Sequence, residues 1–188
     1  MKQVLAVALL VAATPRAGAA SYTLDPTHTF ASFEVPHFAT SVIRGRFDRK
    51  AGRIEFDRAA KTGRVEMTID LASVSTGVAS LDKHMQGKDF FDSAEFPTAQ
   101  FVGDGFVFSG DKVAEVAGSL TLRGQSHPVT LKASNFNCYT SPLFKREVCG
   151  GDFEATIQRS QWGINGGLPA VAPDNVRLLI QVEAIRQP

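Results

Sequence analysis

Arg64-Val65-Glu66-Met67-Thr68-Ile69-Asp70-Leu71 is the stretch that decides the fold class of this chain. Apolar and polar residues alternate through it without a break, which is the period of a β-strand with one buried face and one wet face. The same alternation returns at Val116, Gly118, Leu120 and Leu122, at Val129, Leu131 and Ala133, at Phe153, Ala155 and Ile157, and at Val176, Leu178, Ile180 and Val182. Turn signals stand between and around these runs: Lys50-Ala51-Gly52, Lys61-Thr62-Gly63, Ser109-Gly110-Asp111, Arg123-Gly124-Gln125 and Asn165-Gly166-Gly167. Short strands joined by such turns make antiparallel hairpins, and about eight of them favour a barrel or a sandwich.

Two segments leave the period-two pattern. Ser80 to Asp92 reads as one short helix followed by an aromatic loop, with Ser80 as its cap, Leu81 and Met85 one turn apart on a shared face, and Gly87 as its stop. In Val35-Pro36-His37-Phe38-Ala39-Thr40, Pro36 is expected to block strand continuation.

The N-terminus reads as a secretory signal over residues 1–20. Lys2 is followed by an apolar run from Val4 to Ala13, and Ala17-Gly18-Ala19-Ala20 offers small residues for cleavage after Ala19 or Ala20. The run is too short to span a bilayer, for which ~20 residues are needed. Residues 21–188 then form one domain, exported to an oxidising space. Removing Lys2 and Arg16 takes the formal charge from +1 to −1. That balance argues against nucleic acid as a partner, because phosphate binding needs a basic surplus. Cys138 and Cys149, the only two cysteines, read as a disulfide in an exported chain, contributing roughly 2–3 kcal/mol by closing a short loop.

Phenylalanine supplies 14 aromatic residues against one Trp and two Tyr, and Phe33, Phe56, Phe101, Phe106, Phe108 and Phe153 fall on inward strand positions. They either fill a core or line a cavity; a barrel of about eight strands has just enough interior for side chains or one ligand. Motifs for chemistry are missing. His28, His37, His84 and His127 lie in four separate segments without metal-ligand spacing, and His127-Pro128 reads as a turn. There is no Gly-x-Ser-x-Gly elbow and no glycine-rich phosphate loop. Neither a metal nor a cofactor is expected.

The ordered pieces of the chain resemble the YceI-like periplasmic proteins. They are Tyr22-Thr23-Leu24-Asp25-Pro26-Thr27-His28, Phe33-Glu34-Val35-Pro36-His37, Arg44-Gly45-Arg46-Phe47, Ser73-Val74-Ser75-Thr76-Gly77, Asp82-Lys83-His84-Met85 and Asp89-Phe90-Phe91-Asp92. Phe96-Pro97-Thr98, Gly118-Ser119-Leu120-Thr121-Leu122-Arg123-Gly124, Pro128-Val129, Arg159-Ser160-Gln161-Trp162-Gly163 and Val176 to Ala184 complete the series. The resemblance implies a lipocalin-like, all-β fold: an eight-stranded antiparallel barrel with one short helix near its mouth. It further implies an elongated apolar cavity holding a polyisoprenoid, such as a quinone-related one, or a fatty-acid amide, and a carrier role; homodimerisation is implied by the resemblance alone. Leu81 and Trp162 depart from the usual arginine and phenylalanine, which puts head-group preference in doubt, and the two cysteines resemble those of only part of the family.

On this reading the ligand contacts are expected from Phe33, Phe56, Met67, Ile69, Phe91, Phe101, Leu120, Leu122, Leu131, Phe153, Ile157, Trp162, Leu178 and Ile180. His84 and Asp92 either meet a lipid head group at the mouth or serve as a solvated residue and a turn cap. Asp25 and His28 are expected to form a structural clasp, and Arg159 a salt bridge or strand-end hydrogen bond. Lipid binding competes with two other readings: a filled barrel that binds other proteins, and an enzyme acting on a lipid-like substrate.

Overall fold

The computed structural model describes residues 18–188; the apolar run assigned to an export signal lies outside the described residues. The strands are β1 (Ala20–Leu24), β2 (Phe30–His37), β3 (Ser41–Phe47), β4 (Lys50–Asp57), β5 (Thr62–Asp70), β6 (Val74–Ser75), β7 (Thr98–Ser109), β8 (Lys112–Leu122), β9 (Gln125–Thr140), β10 (Glu147–Gln158) and β11 (Asn175–Arg186). One α-helix, α1 (Ala79–Met85), follows β6, and 3₁₀ turns occupy Leu71–Ser73 and Arg159–Trp162.

All pairings are antiparallel, and the ring runs β1-β4-β5-β7-β8-β9-β10-β11 and back to β1. This is a closed eight-stranded barrel in the up-and-down order, the architecture that the resemblance implied and one of the two that the alternation left open. Its first three strands are each interrupted and then resumed. β1 continues as β2, which takes over the pairing with β11; β3 and β4 together form the second strand; β5 resumes after its 3₁₀ turn as β6, which pairs with β3. The mouth is the end bearing α1, the 38–40 turn, the Arg123-Gly124 turn and the loop from 163 to 174.

The first interruption is held by Asp25. Its carboxylate accepts from the Thr27 amide at 2.9 Å and the Thr27 hydroxyl at 2.6 Å, and lies 2.8 Å from His28 Nδ1. Thr29, wholly buried, donates its hydroxyl to the Glu183 carbonyl at 3.0 Å, tying the break to β11. The expected clasp is therefore present.

Alternation alone does not explain which phenylalanines point inward, because Phe101 and Phe106 have opposite parity. β-Bulges resolve the conflict. The β7–β8 register shifts between Gly103 and Gly105, and again between Val107 and Phe108, so Ala99 and Phe101 face inward on one side of the first shift and Phe106 and Phe108 on the other. An extra residue in one strand exchanges the two faces downstream of it. A shift in the β9–β10 register at Asp152/Phe153 does the same for Phe136, whose side chain is buried while the preceding inward row is Val129, Leu131 and Ala133.

Several local expectations are corrected. Val78, not Ser80, precedes α1, and it makes no side-chain cap; Asp82 instead accepts from the Thr76 amide at 2.7 Å and the Thr76 hydroxyl at 2.6 Å, anchoring the first turn. The helix ends at Met85, before Gly87, with Gln86 as its right-handed C-cap. Pro36 lies within β2, opposite Val42; β11 reaches only Glu34, so the missing proline N–H deprives no ladder partner on that side. Lys50-Ala51-Gly52 belongs to β4, the turn having already occurred at Asp48–Arg49, and His127 sits in β9 opposite Leu120. The Arg123-Gly124 turn is as expected, with both residues left-handed at φ 48° and 70°, the geometry of a two-residue hairpin.

The disulfide between Cys138 and Cys149 joins directly opposed residues of β9 and β10, with their Cα atoms 4.1 Å apart. It closes the hairpin at the end of the barrel opposite the mouth. Outside, the strands carry ion pairs such as Arg177 with Glu154 at 2.6 Å and Arg44 with Glu34 at 2.8 Å, all partly exposed and worth little each.

Candidate functional site

The mouth half of the barrel encloses an apolar cavity of about 400 Å³. Its walls are the inward rows of β5 (Met67, Ile69), β7 (Ala99, Phe101), β8 (Leu120, Leu122), β9 (Val129, Leu131), β10 (Ile157) and β11 (Val176, Leu178, Ile180). The β2–β3 hairpin contributes Phe33, Val35, Ile43 and Phe47, and the cap is built from Leu81, His84 and Met85 of α1 with Phe90 and Phe91 of the following loop. Polar groups are few: Ser32, His37, His84, Asp89 and Arg159. Such a volume and such a wall are those of a small-molecule pocket for an apolar ligand.

Phe33, Phe47 and Phe91 form one aromatic cluster with centroids 5.4–6.3 Å apart. Gly45 makes room for it: a Cβ there would lie 2.2 Å from Phe33 Cζ. The His84 ring meets the Phe90 ring edge-on at 4.8 Å, and His37 meets Phe38 at 4.7 Å. His84 thus lines the edge of the cavity while remaining exposed to solvent.

Two arginines assemble the cap; Arg159 makes the strand-end hydrogen bonds that were one of its two expected roles, and Arg123 was not anticipated. Arg159 is 5 % exposed, and it donates to the carbonyls of Pro173 (3.1 Å), Ile164 (3.3 Å), Gly166 (2.8 Å) and Ala172 (3.3 Å). Burial lowers its pKa from the ordinary guanidinium range, with Asp174 acting the other way, and among the described residues it forms no ion pair. The planar fork of arginine suits such a set of carbonyls. Arg123 Nη1 donates to Phe90 O at 2.8 Å and Gly163 O at 3.1 Å, joining the two mouth loops. Gly166 is required where those loops touch, since a Cβ would stand 2.8 Å from the Phe90 ring and 2.9 Å from Asp89 O. The signal for Arg159 was its place at the end of a strand; the acceptors come from a loop up to fourteen residues on and could not be read locally.

Four residues assigned to the site lie elsewhere. Phe56 and Phe153 line a separate void of about 50 Å³ in the opposite half of the barrel, with Tyr22, Phe106 and Phe136. Trp162 is 1 % exposed but committed to β8 and β9 outside the cavity lining, its indole N–H donating to Leu120 O at 3.1 Å and its ring meeting His127 at 5.0 Å. Asp92 is a buried, left-handed turn residue at φ 47°, whose carbonyl accepts from Glu95 and Phe96. The expected elongated interior is thus divided into a cavity and an aromatic block.

Among the described residues no group of three His, Cys, Asp or Glu side chains could hold a metal, and no helix is long and apolar enough to cross a membrane.

Comparison with known proteins places this architecture. The chain is 33 % identical over 193 aligned residues to a UPF0312 protein of Pseudomonas fluorescens, covering 100 % of this chain and 99 % of that one. Its fold is similar to that of the Campylobacter jejuni YCEI protein, at a TM-score of 0.69 and 26 % identity over 79 % of this chain and 87 % of that one. It is also similar, in fold, to a polyisoprenoid binding domain from Saccharophagus degradans, at a TM-score of 0.63 and 17 % identity over 89 % and 99 % of the two chains. The YceI-like domain model matches residues 22–184, the whole span from the Tyr22 strand to the last inward residue of β11, and the chain accordingly belongs to the YceI-like family.

Proposed function

We propose that this protein binds one long-chain apolar lipid, of the polyisoprenoid or fatty-amide kind, in the mouth cavity and carries it through the periplasm. The observation that carries the reading is the cavity itself: about 400 Å³ walled by aliphatic and aromatic side chains, with few polar groups. Each buried CH₂ is worth about 0.8 kcal/mol, so ten methylene equivalents give roughly 8 kcal/mol before ordering costs. That suffices for micromolar binding without a built polar site. The polyisoprenoid binding domain of Saccharophagus degradans, which has this fold, supports the choice of ligand class.

Binding rather than catalysis is favoured by how the polar wall groups are used. His37 and His84 are packed against phenylalanine rings, and among the described residues neither is hydrogen-bonded to a serine, threonine or carboxylate side chain, so no nucleophile–base pair faces the cavity. The Cys138–Cys149 disulfide and the apolar N-terminal run support export to an oxidising compartment.

Native mass spectrometry of protein purified without detergent, followed by organic extraction, tests the reading. A stoichiometric long-chain species is expected. A clean apo mass, unchanged after incubation with prenols and fatty amides, overturns it.

A further inference from the structure

The cavity stops halfway down the barrel. On β11 the inward row is continuous, but Val176, Leu178 and Ile180 line the mouth cavity while Val182 and Ala184 line the smaller void, and the two linings share no residue. The mouth cavity therefore extends along β11 for about 13 Å, four strand steps of about 3.3 Å, plus the depth of the cap.

What fills the rest is a stack of rings centred on Phe56. Its ring is parallel to that of Phe108 at 5.9 Å with 9° between planes, and it meets Phe136 at 5.8 Å, Phe106 at 6.1 Å and Tyr22 at 6.3 Å. The block is held from several sides. The bulges turn Phe106 and Phe108 inward, Gly63 admits the Phe106 ring (a Cβ would be 2.8 Å away), and the Tyr22 hydroxyl donates to Glu147 at 2.5 Å. The disulfide locks the two strands beside it, and Cys149 lines the same small void.

We propose that this aromatic block sets the length of the cargo, so that the cavity accepts a single short apolar chain matched to its depth of about 13 Å and excludes longer polyisoprenoids. The assignment rests on the lipid-binding reading above and narrows its ligand class.

The test is competition binding by native mass spectrometry on delipidated protein, with farnesol, geranylgeraniol and octaprenol as probes. Farnesol and geranylgeraniol are expected to bind at least about tenfold more tightly than octaprenol. F56A, which removes the central ring of the block, is expected to reduce that preference at least about fivefold. F56L, which retains more packing, is expected to shift it in the same direction by less, and a circular-dichroism melt shows that each variant is folded. Equal affinity for octaprenol and geranylgeraniol in the unaltered protein, or an unchanged preference in a folded F56A or F56L, overturns the length limit while leaving lipid binding intact. Failure to bind any of the three overturns the length limit, and lipid binding falls with it only if fatty amides also fail to bind.

Discussion

Arg159 and Gly166 are joined across the mouth by a 2.8 Å hydrogen bond from guanidinium Nη1 to backbone carbonyl. Three further carbonyls of the same loop region share that guanidinium, so one side chain organises the segment from Ile164 to Pro173. Lysine keeps the charge but not the fork. R159K is expected to destabilise the protein by roughly 2 kcal/mol or more, and to raise amide exchange in residues 163–174 ahead of the rest. Urea unfolding and hydrogen exchange check both; unchanged exchange in that loop would contradict the role.

Gly45 and Phe33 provide a steric test of the cavity wall. In G45A the new methyl must displace the Phe33 ring, which is itself packed on Phe47 and Phe91. Overpacking of this kind costs about 1–3 kcal/mol. A lower urea midpoint and reduced lipid loading are expected together.

Strand orientation predicts opposite outcomes for adjacent residues. Ile69 lines the cavity, and Thr68 is on the other face of β5, opposite Gln100 and Ala51. I69D is expected to abolish loading or folding, whereas T68D is expected to change stability by about 0.5 kcal/mol or less. Equal tolerance at the two positions would refute the register.

The Asp25 clasp predicts two pH dependences of opposite sign. Burial of Asp25 raises its pKa, but hydrogen bonds from Thr27 and His28 outweigh it and hold the carboxyl at about 2. A depressed carboxylate stabilises the fold above the unfolded value of about 3.9, and that contribution is lost as pH falls toward 2. The hydrogen bond to Asp25 raises the His28 pKa, so its contribution is complete below about 6.5 and is lost as pH rises through the folded value. D25N is expected to flatten both slopes, and H28Q mainly the second; chemical denaturation across pH 2–9 separates them.

Reducing the Cys138–Cys149 bridge, or replacing both residues by serine, is expected to cost about 2–3 kcal/mol. Urea unfolding with and without dithiothreitol measures it, and no difference between the two would contradict a stabilising role.

Most of the inward rows were legible in the sequence because alternation on β5, β8, β9 and β11 reports burial directly, whereas the choice of a barrel over a sandwich came from the resemblance. Phe33, Met67, Ile69, Phe91, Phe101, Leu120, Leu122, Leu131, Ile157, Leu178 and Ile180 were placed in the wall on that basis or by resemblance, and the structure puts them there. Phe56 and Phe153 were misplaced for a different reason: facing inward is not the same as facing the cavity, and how far along the axis a residue sits depends on register between distant strands. The opposite parity of Phe101 and Phe106 was the one local sign of a bulge. Interruptions at Asp25 and at Leu71–Ser73, and the carbonyls that Arg159 collects, arise from tertiary contacts that leave no periodic trace.

β3 pairs with β2 along its whole length but with β6 only at Arg46 and Phe47, and β2 reaches beyond β11 from Val35 onward. The outer part of this hairpin, which carries Val35, His37 and Ile43 of the cavity wall, is thus a ribbon bound on neither long edge by a neighbouring strand, with the Phe38 amide on the Val171 carbonyl as a tether at its tip. Lifting it breaks fewer backbone bonds than parting any two staves of the ring. This hairpin is thus the most weakly fastened part of the cavity wall, and its outer amides are expected to exchange ahead of those in the ring.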